Sequence, residues 1–489
     1  MVIQRETNAA VWGWAEPSEK VTIDCSWGVS TNTRADQQGN WKVFVKTPKA
    51  GGHYDIKIRG EKDTLIFEGV RSGDVWFCSG QSNMKQPMIN YYPKERIKKE
   101  AEDSKIHFFI TRKNCPFEDQ HNVVGEWMLS SEKIVSSFSA TAFFFGKKLQ
   151  QETDVPIGLI LSAWSGKRIE YFIPWEEIQE EAYLQEMRDK VKEAQSTFSE
   201  KKAQLTYEED LEQWKERVTI WEQKGKKGWQ PKKPKKAVPP IQEGKHPGGI
   251  FSGMIHPFLG MAMKGVIWYQ GESNSQGLQT EGHCNHYQSL LTKLITSWRN
   301  EWSIGTFPFY FVQLPEFGEL ASKPVMLEDA WSYTRQSMLN VHTTIPNTGM
   351  AVALGLGEAG NVHPKKKQEV GELLARLALK NDYGKPIPYS GPIATSCNFK
   401  GNRVIVNFDN GGAALSFANE CDLGFAIVNQ KGETQKASAK ILSENSLEII
   451  AKNQQEIKEV YYAWAANPKE YSLENTAHLK ASPFRFIKP

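Results

Sequence analysis

The chain has 489 residues and a formal net charge of +3, with basic and acidic side chains interleaved rather than gathered into one field. That balance argues against a nucleic-acid-binding protein, and the absence of any run of 18 apolar residues argues against a membrane-spanning helix. The length suggests about three domains at roughly 150 residues each.

Residues 1–72 read as β structure. The runs "AAVWGWAEPSEKVTIDCSW", "NWKVFVKTP", "HYDIKIRG" and "DTLIFEGV" are short and alternating, and turns such as "DQQGN" and "KAGG" separate them. Regular short strands with turn residues between them predict a small sandwich. The pattern then changes. Continuous apolar runs occur at 74–78 (DVWFC), 105–110 (KIHFFI), 156–161 (PIGLIL), 265–269 (GVIWY), 308–314 (PFYFVQL) and 350–356 (MAVALGL). Between them lie helical patterns, among them "SATAFFFGKKLQQE", "HYQSLLTKLITSWRNEW" and "EDAWSYTRQSMLNV". Apolar strands alternating with helices predict a parallel sheet covered on both faces, a domain spanning 73–390.

Residues 175–247 read as an insertion into that domain. Two charge-rich helical stretches, "WEEIQEEAYLQEMRDKVKEAQSTFSEKKAQ" and "TYEEDLEQWKERVTIWEQKGKKG", are followed by the connector "WQPKKPKKAVPPIQEGKHPGG". The lysines of the connector read as a solvated linker. From 391 to 489 the pattern returns to β, with "NRVIVNFDN", "FAIVNQKGET", "SLEIIAK" and "EVYYAWA". No internal repeat is present. The 16 tryptophans suit sugar-facing platforms as well as cores, and core packing takes the larger share. Six cysteines (Cys25, Cys78, Cys115, Cys284, Cys397, Cys421) form no C-x-x-C pair, so no zinc site is expected and their disulfide state stays open.

In a parallel α/β sheet, ligands collect beyond the carboxyl ends of the strands. Four loops meet that condition: "SGQSNM" after 74–78, "AWSGKR" after 156–161, "QGESN" after 265–269, and "GEAGNVHPKKK" after 350–356. Acyl transfer needs a nucleophile, a base that works near neutral pH and donors for an oxyanion. Ser82 supplies the first and, through its backbone N–H, one donor. Gly166 and Asn274 supply further donors, and His363 the base. Pro364 is the expected first position of a helix carrying Val370, Leu373, Leu374 and Leu377. Taken singly, each of these residues is common in turns, and Asn274 suits an Asx-turn. The joint order of the loops is what carries weight. His256, in "SGMIHP", precedes a strand instead of following one and reads as structural.

The stretches "GDVWFCSGQSNM", "GLILSAWSG", "GMIHP", "KGVIWYQGESN" and "VHPKKKQEVG", with "VWGWA" near the start and "YYAWAANP", "SLEN" and "ASPFR" near the end, together resemble the sialate O-acetylesterase-like family of the SGNH (GDSL-type) hydrolases. The "GQSNM" turn lacks the second glycine of the α/β-hydrolase motif. The resemblance implies a flavodoxin-like three-layer domain flanked by N- and C-terminal β modules. It also implies release of acetate from acetylated sugars, with no metal and no organic cofactor. Ser82 matches the family nucleophile and His363 the base. Ser82, Gly166 and Asn274 match the oxyanion positions, and Gln81, Gln270 and Glu272 line or brace the substrate pocket.

Two positions depart from the family pattern. Ser165-Gly166 stands where members commonly carry Gly-Gly, and Asn361 stands where they commonly carry Asp. The acid is then expected from Glu358, unless the site works as a Ser–His dyad. A catalytically weak carbohydrate-binding protein on an esterase scaffold is the alternative. The sugar and the oligomeric state stay open. The N-terminus "MVIQRETNAAVWGWAEP" lacks the pattern of a signal peptide. A periplasmic or secreted location, with a signal removed, is expected, and a cytoplasmic one stays open.

Overall fold

The computed structural model describes residues 1–102, 105–275, 281–418, 422–452 and 455–489. Their contacts divide them into two compact units: residues 1–111, 124–169 and 258–489, and residues 112–123 and 170–257. The fold is mixed α/β with a β-rich C-terminal module.

The first unit is organised by one sheet. From one edge its strands run Thr348–Val352, Phe309–Gln313, Gly265–Tyr269, Thr64–Gly80, Ile157–Ala163, Ile106–Ile110 and Trp127–Leu129. The first six are parallel and the last is antiparallel. Every residue of Ile157–Ala163, Gly265–Tyr269 and Phe309–Gln313 is buried. This burial on both faces explains why these strands are continuously apolar and not alternating. Trp76 and Phe77 are neighbours on one strand, so they point to opposite faces. Trp76 packs edge-on against Phe145 of the helix Ala140–Thr153, while Phe77 meets Trp298 and Trp302 of the helix Glu281–Trp302. Those two helices therefore cover opposite faces of the sheet.

The strands following Thr64–Gly80 in the chain lie first on one side of it and then, from Gly265 onward, on the other. The direction of winding reverses beside this strand, and its carboxyl end opens into the crevice where ligands bind in such sheets. The same strand reaches back into the N-terminal β region. Its outer half pairs with Gly51–Arg59, and its residues 71–73 pair in parallel with Val2–Gln4. It passes position 72 without a break. The N-terminal region packs Val21, Ile23, Trp41, Val45, Ile56 and Val70 into a core of its own. The C-terminal module is a seven-stranded antiparallel sheet, with Ile393–Lys400 at one edge and Phe484–Ile487 at the other.

The second unit contains the helices Ala182–Thr197 and Glu200–Gln223. The chain breaks between them because Phe198 is extended and the Ser199 side chain caps the next helix at Lys202 N. Arg188 anchors this unit. It is buried, donates to the carbonyls of Pro247 and Phe117, and lies over the Trp175 ring. In the connector, Lys232, Lys233 and Lys235 are exposed, and Trp229 is 97% exposed.

One expectation needs correction. The helix after His363 begins at Lys367, not at Pro364. The backbone N–H of Lys365 is taken by the Glu358 carboxylate and that of Lys367 by the carbonyl of Lys365, so the chain makes a further turn before the helix starts. Trp127–Leu129 adds a strand that sequence patterning does not predict. Cys25, Cys78, Cys115 and Cys397 are free thiols, while Cys421 and the side chain of Cys284 lie outside the described residues. Among the described residues no helix is long and apolar enough to cross a membrane.

The end of the central strand is conformationally specified. Gly80 has φ +131°, and a Cβ built there meets the carbonyl oxygen of Tyr269 at 2.2 Å. Gly166, at φ +70°, has open space around it. In urea unfolding, Gly80→Ala should therefore cost about 2–4 kcal/mol, against about 1 kcal/mol for Gly166→Ala. Equal losses would show that the crowding at Gly80 carries no energy.

Candidate active site

The site is assembled at the carboxyl end of Thr64–Gly80 from the four loops. The first turns sharply at Gly80. Gln81 N donates to the carbonyl of Tyr269 at 2.9 Å, and Ser82 opens a single helical turn, Ser82–Lys85, closed by Gln86 N donating to Ser82 O at 2.8 Å. The Ser82 side chain is nearly buried, and its Oγ accepts from Gln81 Nε2 at 3.4 Å.

The second loop starts where Trp164 N donates to Gly80 O at 3.0 Å. Ser165 and Gly166 are exposed, whereas Lys167 folds back over the Trp164 ring. The third loop ties the first two together through Gln270, which is fully buried. Its Nε2 reaches Asn274 Oδ1 at 2.7 Å, Gln81 Oε1 at 3.2 Å and the Lys167 carbonyl at 3.2 Å, while its Oε1 accepts from Tyr287 OH at 2.9 Å. Asn274 Oδ1 also accepts from Ile169 N at 3.0 Å. With two donors fixed on Oδ1, the NH2 end of the Asn274 carboxamide must point away from them. Gln81 Oε1 accepts from Ser273 N at 3.1 Å. Gln81 and Gln270 thus brace the site by joining the first three loops.

The fourth loop carries His363. Asn361 holds its backbone: Oδ1 accepts from His363 N at 3.0 Å and Nδ2 donates to His363 O at 2.8 Å. Glu358 in turn holds Asn361, with Oε2 accepting from Asn361 Nδ2 at 3.0 Å and Oε1 accepting from Lys365 N at 2.8 Å. These hydrogen bonds to its charged form keep the Glu358 carboxyl below the usual carboxylate range. Glu358 is bonded to the loop and not to the imidazole. At the base of the loop, Glu316 accepts from Gly355 N at 2.6 Å, Gly357 N at 3.0 Å and Tyr471 OH at 2.5 Å. His363 is half-buried. Burial, and then the charge of Lys367, hold its pKa below the ordinary histidine value, so the imidazole is neutral and able to accept a proton at neutral pH.

One side chain joins the serine turn to the histidine loop. Asn83 Nδ2 donates to the carbonyl of Val362 at 2.9 Å and to Glu272 Oε1, while Asn83 Oδ1 accepts from Lys367 Nζ. Glu272 is buried, which raises its pKa. The structure therefore gathers Ser82, Gln81, Gly166, Asn274, Gln270, Glu272, Glu358, Asn361 and His363 into loops linked by hydrogen bonds. His256, by contrast, belongs to the second unit, where its Nδ1 pairs with the Gln120 carbonyl at 2.8 Å. Asn83, Lys367 and Glu316 were not legible as site residues. Asn83 adjoins the serine, but Lys367 ends a run of three lysines that reads as solvated charge. Among the described residues, no group of three or more His, Cys, Asp or Glu is placed to hold a metal ion.

Comparison with known proteins identifies the family. The sequence profile described as "Carbohydrate esterase, sialic acid-specific acetylesterase" matches residues 72–226 and 252–380. Sialate O-acetylesterase of Mus musculus is 26% identical over 445 residues, which is 83% of this chain and 76% of that protein. The Homo sapiens sialate O-acetylesterase is 25% identical over 439 residues, 83% of this chain and 74% of its own length. The crystal structure of a carbohydrate acetylesterase from Xanthomonas citri superposes with a TM-score of 0.79 at 26% identity, covering 100% of this chain and 97% of that one. The four loops all fall within the matched segments, and the chain belongs to the sialic acid-specific acetylesterase family of carbohydrate esterases, which makes it a carboxylic ester hydrolase.

Proposed function

We propose that the chain is a serine carbohydrate O-acetylesterase that works through an acetyl-enzyme. The observation that carries this reading is the 2.9 Å bond from Asn83 Nδ2 to the carbonyl of Val362, which sets the turn bearing Ser82 beside the loop bearing His363. The reversal of strand order beside Thr64–Gly80 supports a flavodoxin-like three-layer SGNH hydrolase domain. His363 takes the Ser82 proton as Oγ attacks the acetyl carbonyl. The backbone N–H groups of Ser82 and Gly166 and the side-chain amide of Asn274 stabilise the oxyanion. The carbonyl re-forms and expels the sugar oxygen, which leaves as an alcohol with the proton from His363. Water, deprotonated by His363, then attacks the acetyl-enzyme, and Ser82 and acetate are released. The substrate in this reading is an acetylated sugar or polysaccharide.

Glu358 and Asn361 form the support for the base. A carboxylate and an amide alternate here because two carboxylates 3.0 Å apart would repel each other. Glu358 acts on His363 through Asn361, and the reacting pair is a Ser–His dyad.

Three outcomes test this reading. Ser82→Ala should lower acetate release from acetylated glycans by at least about a thousandfold with an unchanged circular dichroism spectrum. A variant keeping a tenth of the rate would remove Ser82 from the mechanism. The pH profile of kcat/KM should stay level down through the ordinary histidine pKa of about 6.5 and fall only below it, because the shift of His363 is downward. Asn361→Asp should lower both melting temperature and kcat. Adding Glu358→Gln should restore much of both, since the new amide can donate where the old carboxylate repelled. A single Asn361→Asp variant faster than the parent would show instead that a second carboxylate is tolerated beside Glu358 and assists the base.

A further inference from the structure

Lys367 lies outside the chemistry described so far. It is 1% exposed, at the first position of the helix Lys367–Asn381. Among the described residues it has no carboxylate within salt-bridging distance. Its Nζ donates to Asn83 Oδ1 and lies 5.2 Å from the centre of the Tyr91 ring and 5.8 Å from that of Tyr269. A lysine carries high rotamer entropy and a large desolvation cost, so full burial against one amide and two aromatic rings needs a return. Asn83 spends its NH2 group on Glu272 and on the Val362 carbonyl, so its oxygen needs a donor, and Lys367 is that donor. The single chain Lys367–Asn83–Val362 crosses from the helix after the histidine to the turn of the serine and back to the residue before the histidine.

We propose that Lys367 is a positioning residue of this esterase, which acts through Asn83 to lock the Ser82 turn to the His363 loop and places a titratable charge beside the base. The proposal rests on the Ser82–His363 reading given above. The charged and titratable groups facing Lys367 are Glu272 and Glu358, which favour its ammonium form, and His363, whose protonation its charge opposes. The Tyr91 and Tyr269 rings complete its surroundings. Burial brings the lysine pKa down to about 7. In the acid range, where His363 titrates, Lys367 is therefore charged and helps to keep the imidazole neutral. Removing the charge lets His363 hold its proton more firmly, so the acid limb of the rate profile moves to higher pH.

The test uses Lys367→Met and Lys367→Gln. Methionine fills similar space and removes both the charge and the donor. It leaves Asn83 Oδ1 without this donor, which costs stability. Glutamine removes the charge and keeps an N–H donor. In acetate-release kinetics, Lys367→Met should lower kcat about ten- to a hundredfold, with KM changed less than about threefold, because the serine and histidine lose register. Both variants should move the acid limb of kcat/KM up by about half a unit to one unit. Lys367→Gln should lose less of kcat than Lys367→Met, and it carries the charge test should methionine not fold. A merely structural lysine would change the melting temperature and leave the acid limb where it was. An unmoved acid limb in a folded variant of an enzyme that still needs Ser82 overturns the proposal alone. Full activity of Ser82→Ala would overturn the site reading and this proposal with it.

Discussion

The site depends on the carboxamide of Asn83. Its two hydrogens go to Glu272 and the Val362 carbonyl, and its oxygen takes the Lys367 ammonium. Asn83, Glu272 and Lys367 are buried, and leaving one of them unpaired would cost about 1–3 kcal/mol, more for a charged one. The three bonds therefore stand or fall together. They join segments nearly 300 residues apart in the chain, the turn at Ser82 and the helix at Lys367, and they fix the approach of serine and histidine loops before any substrate arrives. Gln270 does the corresponding work on the other side, holding Gln81, Lys167 and Asn274 at once. Candidate site residues on four loops are thus held by hydrogen bonds that join the loops to one another.

The sheet supplies the frame for both hubs. The winding reverses beside Thr64–Gly80, which is where such sheets place their ligands, and the first loop leaves the sheet there. The backbone departs from ordinary conformations at these strand ends: Gly80 has φ +131° and Gly166 φ +70°. Glycine adopts such conformations readily and other residues do not, and surrounding structure selects them here. Here the holding structure is identifiable. It consists of Gln81 N on the Tyr269 carbonyl and Trp164 N on the Gly80 carbonyl. The histidine loop is held by two carboxylates, Glu316 at its base and Glu358 at its tip.

Much of this was legible in the sequence, for reasons that can be stated. The parallel strands announce themselves because double-sided burial demands continuous apolar residues, as in "GVIWY" and "PIGLIL". The four loops follow from the strands by the rule that ligands gather at carboxyl ends. Trp127–Leu129 escapes notice because three residues, two half-buried and one exposed, carry no periodicity. The start of the helix after His363 was misjudged because proline is a weaker instruction than the competing bond from Lys365 N to Glu358. Glu358 was expected to act on the imidazole, and it holds Asn361 instead. One-dimensional spacing does not tell which face of a turn a carboxylate occupies. The burial of Lys367 is a tertiary property. Nothing distinguishes it from Lys365 and Lys366 until the helix docks.

The central claim is that Ser82 is the nucleophile, activated by His363 within a rigid frame. Treatment with an organofluorophosphate, followed by intact-mass measurement and peptide mapping, addresses it most directly, because only an activated serine forms the phosphoryl ester. The account predicts one adduct per chain, on the peptide containing Ser82, formed in step with the loss of acetate release and largely absent in His363→Ala. Full inactivation with the adduct on another residue, or an adduct at Ser82 that forms at the same rate without His363, would contradict it.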